Sequence, residues 1–346
     1  MNFDCPSPTN TQSNERIRMA HGGGGRLMNN LIERVFKPIL SNEYLDELHD
    51  GAILQLPSQK IAFSTDSFVI SPLFFSGGDI GKLAVNGTVN DLAMCGARPM
   101  FLSLGLIIEE GFEMEKLNRI LQSIHQASQK VGVKVVTGDT KVVNKGKGDG
   151  IYINTAGIGV IEHNLNISPR SVKEGDVIVL SGDIGRHGSA IMALREGIEL
   201  DTTLESDCDE LWTPVSNLLS EGIEIHCLRD LTRGGLVSAL NEISRSSGFG
   251  IYIYEESIPV VEEVKAICEI LGLDPLYVAN EGRFISIVPE NYAERAVSII
   301  SNTSGTEARV IGKVTSDNSG KVIMKSLIGS NRLLDMLSGE QLPRIC

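Results

Sequence analysis

The sequence predicts an α/β protein built as two domains, and three observations carry that reading. At 346 residues the chain exceeds what one ordinary core holds. Both halves alternate short apolar runs of strand type with stretches of helical periodicity. Between the halves, Asn166 to Asp176 contains Pro169, Gly175 and mixed charges, the best boundary in the chain.

The elements follow in order. Residues 1–20 are polar, lack the apolar stretch of a signal peptide, and read as a flexible leader. His21 opens the run Gly22, Gly23, Gly24, Gly25, and an amphipathic stretch spans Leu27 to Phe36. Strands are predicted at Ala52–Leu56 and Lys60–Thr65, followed by Phe68-Val69-Ile70. After Gly77-Gly78, Asp79 reads as the N-cap of a helix reaching about Met94. A strand at Met100–Ile108 precedes helical periodicity from Glu113 to Val131, which stops at Gly132. Val133–Val136 is a buried-type strand that delivers Thr137-Gly138-Asp139-Thr140-Lys141, and Ile151–Ile161 closes a first domain assigned to 21–165.

A second domain, 170–338, repeats the alternation. Strands are predicted at Val177–Leu180, Glu224–Leu228, Gly250–Tyr254, Arg283–Val288 and Arg309–Val314. Helices are predicted at Gly188–Glu196, Gly235–Ser244, Val260–Leu271 and Tyr292–Ile300. The turns Ser76-Gly77-Gly78-Asp79-Ile80-Gly81 and Ser181-Gly182-Asp183-Ile184-Gly185 look alike, a hint of shared architecture. Residues 339–346 form a mobile tail ending in Cys346, which Pro343 stiffens and which would reach about 26 Å when extended.

Composition narrows the function classes. A net charge of −13 argues against a nucleic-acid surface, because phosphate neutralisation needs clustered Lys and Arg. Such an acidic protein must handle nucleotide phosphates with a metal and backbone N–H groups. No apolar run is long enough to span a bilayer, so a cytoplasmic location with reduced thiols is expected. The six cysteines show no zinc spacing, and Cys95 and Cys268 read as small core residues.

The chemistry lies in a series of aspartates at strand ends or in turns rich in Gly, Ser and Thr: Asp50, Asp66, Asp91, Asp139 and Asp230. Hard oxygen ligands of this kind suit Mg²⁺, which shares its shell with water and substrate phosphates. Asp91 is the most telling, since an unpaired carboxylate in an apolar helix needs a partner cation. A lone turn aspartate is usually a cap or an Asx-turn, but five in recurring settings weaken that reading. Lys141 follows Asp139 by two residues, so both project to one side of a strand, where a lysine would neutralise phosphate or act as a base. The plainer role is a solvated surface lysine. Glu281, in Asn280-Glu281-Gly282, is a candidate partner or base. A run such as Gly22–Gly25 is more often a linker than a lid over phosphates. No P-loop, Rossmann, kinase or nucleophile-elbow motif is present.

Several motifs together carry a resemblance. They are Phe63-Ser64-Thr65-Asp66-Ser67, the stretch Gly81 to Met94 with Asn90-Asp91, Thr137-Gly138-Asp139-Thr140-Lys141-Val142-Val143, Arg229-Asp230-Leu231-Thr232-Arg233-Gly234-Gly235 and Pro343-Arg344-Ile345-Cys346. From His21 to Cys346 the chain resembles the HypE family of hydrogenase maturation factors. That family lies in the PurM-like ATP-binding superfamily, related to aminoimidazole ribonucleotide synthetase. The resemblance implies a PurM-like two-domain fold, a homodimer, and ATP and Mg²⁺ as cofactors. It implies that the carbamoyltransferase HypF loads Cys346 and that this chain dehydrates the S-carboxamide to a thiocyanate. The product would serve the HypC–HypD complex as cyanide donor for the hydrogenase iron.

By the same resemblance, Cys346, Lys141 and Glu281 would be catalytic, and Asp50, Asp91 and Asp230 would hold metal. Gly22, Gly23, Gly24, Gly25, Asp66, Asn90, Thr137, Gly138 and Asp139 would bind nucleotide. The rival readings are another PurM-like ATP enzyme, akin to selenophosphate synthetase or thiamine-monophosphate kinase, and a non-catalytic thiol carrier.

Overall fold

The computed structural model describes residues 16–22, 26–47, 52, 54–58, 60–198 and 204–336. The first half begins with helix α1 (Arg26–Leu31), which passes through a π-helical turn, Ile32–Phe36, into α2 (Lys37–Leu40). Strand β1 (Ile61–Phe68) follows, then a small hairpin of β2 (Phe74–Phe75) and β3 (Gly78–Asp79). Helix α3 (Ile80–Met94) is capped by Asp79, whose carboxylate accepts from Gly81 N and Lys82 N. Next come β4 (Arg98–Glu109), α4 (Met114–Val131), β5 (Lys134–Val143) and β6 (Ile151–Val160).

These strands form a four-stranded sheet in the order β1-β6-β4-β5. Only β4 and β5 run parallel, and α4 makes the crossover that parallel pairing requires. Buried Leu117, Ile120, Leu121 and Ile124 make one apolar stripe on α4 at helical spacing, and Gly132 ends it in the left-handed conformation. By contrast α3 is buried nearly all round, the pattern of a helix enclosed by protein. Its last turn inserts Ala93 and Met94 among Val179, Leu211 and Phe284 of the second half.

The second half contains β7 (Val177–Leu180), α5 (Arg186–Glu196), α6 (Trp212–Ser220), β8 (Cys227–Asp230), α7 (Gly235–Ser247), β9 (Gly250–Tyr254) and α8 (Glu262–Leu271). It ends with β10 (Phe284–Val288), α9 (Ala293–Ser304), β11 (Arg309–Thr315), β12 (Val322–Lys325) and β13 (Asn331–Leu334). Its seven strands are ordered β13-β12-β9-β11-β7-β10-β8. Every residue of β7 and β10 is buried, as continuous apolar runs predict.

Several expectations need correction. Residues 52 and 54–56 form no strand, since among the described residues none pairs with them and β1 is the last strand on that side of the sheet. Strand β8 starts at Cys227 rather than Glu224, so Asp230 closes the strand. The Thr137 to Lys141 motif lies within β5 and not beyond its end. Cys95 is exposed at the end of α3, whereas Cys268 is buried. The two similar turns also part ways: Asp79 caps a helix, while Asp183 pairs with Arg186 and Arg283.

Candidate functional site

A cleft of about 330 Å³ opens between the halves. From the first half, Asp66 on β1 and Asp91 on α3 face it; from the second come Arg229, Asp230, Thr232, Arg233 and Glu281. Asp66 shares the inner face of β1 with Ser64, whose hydroxyl donates to Asp91 Oδ2 at 2.5 Å. Asp230 ends β8, and Glu281 lies just before β10, antiparallel to it. The edge of one sheet, the end of a buried helix and the end of a second sheet thus meet in one place.

The electrostatics show what such a gathering demands. Burial, then the Asp91 charge, raises the Asp66 carboxyl from 3.8 to about 6, with Arg233 opposing and an Asp91 hydrogen bond adding to the rise. Burial, then Asp91, raises Asp230 from 3.8 to about 7, with Arg229 opposing and Asp66 contributing. Surplus negative charge of this kind fits a hard dication, which would let the carboxylates ionise together. Among the described residues no three His, Cys, Asp or Glu side chains form a metal cage by themselves.

The other expected site residues separate into groups. Thr137, Gly138, Asp139 and Lys141 lie on β5, the opposite edge strand from β1. Asp139 and Lys141 are exposed, while Thr140 and Val142 between and beside them turn inward. The Lys141 side chain therefore points away from the helical face that carries Asp66, three strand spacings or about 14 Å across the sheet. Gly22 packs against β5, where a Cβ would come within 2.6 Å of Val142 N. Asn90 does not line the cleft. Its amide donates to Asp209 O (3.0 Å) and Glu281 O (3.4 Å) and accepts from Leu211 N (2.8 Å). Asp50, Gly23, Gly24, Gly25 and Cys346 lie outside the described residues. Arg229, Thr232 and Arg233 were not singled out from the sequence, although they flank Asp230 in a motif that was.

The two-part mixed α/β architecture is that of AIR synthase related proteins. The model of the N-terminal domain of that group matches residues 48–161, and the model of the C-terminal domain matches 173–325. The chain is 51% identical to the carbamoyl dehydratase HypE of Azotobacter vinelandii over 334 residues, 96% of this chain and 98% of that protein. It matches the crystal structure of a hydrogenase maturation protein HypE in complex with ATP at TM-score 0.92 and 45% identity, covering 95% and 99% of the two chains. A chain in a crystal structure of a HypE–HypF complex matches at TM-score 0.78 and 47% identity, covering 89% and 99%. The chain belongs to the HypE family of carbamoyl dehydratases.

Proposed function

We propose that this chain uses ATP and Mg²⁺ to dehydrate an S-carboxamide on its own Cys346, giving a thiocyanate that donates cyanide to the iron of a [NiFe]-hydrogenase. The observation that carries the reading is the cleft where Asp66, Asp91, Asp230 and Glu281 converge, in a chain of carbamoyl dehydratase ancestry. The balance is R–S–C(O)NH₂ plus ATP giving R–S–C≡N, ADP and phosphate. An amide oxygen leaves only once phosphorylated, and ATP supplies that phosphoryl group. Asp91 and Asp230 would hold the metal ion, which screens the phosphate charge.

Two N–H protons must then depart, and Lys141 and Glu281 are the bases in this reading, each worth roughly 10²- to 10⁴-fold. Glu281 faces the cleft, while Lys141 stands across the sheet. A second copy would resolve this separation. The outer face of the four-stranded sheet exposes Ile61, Phe63 (68% exposed) and Ile107, an apolar surface suited to a homodimer. Partner β5 strands would then bring Lys141 to a shared site, with Gly22 packed on the same strand.

HypF, named in the complex of a relative, would transfer the carbamoyl group to Cys346, and HypC–HypD would accept the cyanide, all in the cytoplasm. Among the described residues no helix is long and apolar enough to cross a membrane. Intact-mass analysis tests the reading: Cys346 gains about 43 Da with carbamoyl donor and HypF, then loses about 18 Da only when ATP is added. A Cys346→Ala protein that still yields cyanated product would sink it.

A further inference from the structure

Residues 204–211 run between the two halves as a strap in neither helix nor strand. Near its start, Ser206 N–H donates to Ser76 O at 2.9 Å. The Ser206 hydroxyl meets His187 Nδ1 at 2.8 Å and accepts from Cys208 N–H at 3.1 Å. At its far end, the Asn90 side chain on α3 binds Leu211 N–H and Asp209 O. Between these anchors the Asp207 carboxylate turns toward Asn280-Glu281-Gly282. Its Oδ2 accepts from Glu281 N–H at 3.2 Å and from Gly282 N–H at 3.0 Å. Asp209 N–H donates to Glu281 O at 3.4 Å, and Asn90 Nδ2 reaches the same oxygen. The approach leaves no room for a side chain, since a Cβ on Gly282 would lie 1.9 Å from Asp207 O.

Asp207 is only 8% exposed, and its Oδ1 is buried with no hydrogen-bond partner among the described residues. Burying a carboxylate with one oxygen unsatisfied is costly, and stability alone would favour an apolar residue here. What the arrangement provides is registry. The backbone of Glu281 is gripped at its N–H by Asp207 and at its carbonyl by Asn90, the residue beside Asp91 on α3. One short network therefore fixes a second-half carboxylate against a first-half carboxylate across the cleft.

We infer that Asp207 is a positioning residue that, together with Asn90, sets the place of Glu281 relative to Asp91; this rests on Glu281 serving as a base in the proposed dehydration. Asp207→Ala removes the acceptor, whereas Asp207→Asn keeps a carbonyl oxygen for both N–H groups. In Asp207→Ala the kcat for dehydration falls about 10- to 100-fold while the KM for ATP stays within about twofold. Amide hydrogen exchange at Glu281 and Gly282 accelerates in that variant, with the amides of β10 still protected. Asp207→Asn keeps kcat within about threefold of the parent chain. Unchanged kcat in Asp207→Ala, a kcat loss tracking a rise in KM, or unchanged exchange at residues 281 and 282 overturns the inference. Glu281→Gln, measured alongside, separates the two ideas. Full turnover in Glu281→Gln refutes the base assignment, while the exchange readout alone decides whether Asp207 holds the segment.

Discussion

Asp230 sits in the cleft wall with its carboxyl pushed up to about 7, by burial first and by Asp91 second. A carboxyl raised from an unfolded value near 3.8 contributes stability that is fully present below that value and lost as pH rises through about 7. Asp66 adds the same sign between about 4 and about 6. For Asp230 the shift corresponds to a loss on the order of 4 kcal/mol by neutral pH in metal-free buffer. Asp230→Asn should therefore raise Tm by roughly 5 °C at pH 8 in EDTA, with the gap closing at pH 4. Millimolar Mg²⁺ should raise Tm of the parent chain at pH 8 and leave the variant nearly unmoved. Calorimetry across that range checks both, and a variant less stable than its parent at pH 8 would refute the account. Three of the five aspartates, Asp66, Asp91 and Asp230, meet in the cleft, whereas Asp139 stands on the far edge strand, a separation that spacing along the chain does not show. Asn90 was not legible: a side-chain amide in an apolar helix looks the same in sequence whether it meets a ligand or a backbone. Asp207 gave no signal at all, since Asp207-Cys208-Asp209-Glu210 reads as a solvated acidic loop.

Among the elements, α3 carries both Asn90 and Asp91 near its end and is capped at its start by Asp79. Asp79 satisfies two orphan N–H groups, Gly81 at 2.7 Å and Lys82 at 3.1 Å. Asp79→Ala should cost about 1 kcal/mol in a urea titration while leaving the KM for ATP within about twofold. A loss near zero would mean that tertiary packing alone holds the helix. The cap could be read from sequence because its chemistry is local, and so could the Gly132 stop of α4. Elements that depend on distant partners could not. The apolar residues Ala52, Leu54 and Leu56 read as part of a strand but are in none, and β12 and β13 are short segments made strands by β9 and by each other. Helix α6 escaped notice because Pro214 sits in its first turn, where proline is tolerated yet reads as a breaker.

At the scale of the whole molecule, the candidate residues occupy opposite edges and opposite faces of the four-stranded sheet. Asp66 and Asp91 belong to the cleft, whereas Asp139 and Lys141 stand exposed on β5. A sequence that places them on motifs of one chain cannot say whether one copy or two assembles them. The exposed Ile61, Phe63 and Ile107 favour two. If two copies join through this face as proposed, Phe63→Lys should shift the mass by light scattering from dimer toward monomer and depress turnover in step, because it buries a charge in an apolar interface. A complementation experiment goes further. Lys141→Ala and Asp91→Asn should each abolish dehydration alone. Unfolded together, refolded and mixed in equal amounts, they should recover roughly a quarter of parental turnover, since half of the dimers are then mixed and each mixed dimer holds one intact site. Recovery requires that Lys141 of one copy serve Asp91 of the other. If the mixture stays as inactive as its parts while remaining dimeric, both residues must act within one chain, and the tail bearing Cys346 would have to carry the reacting group between them.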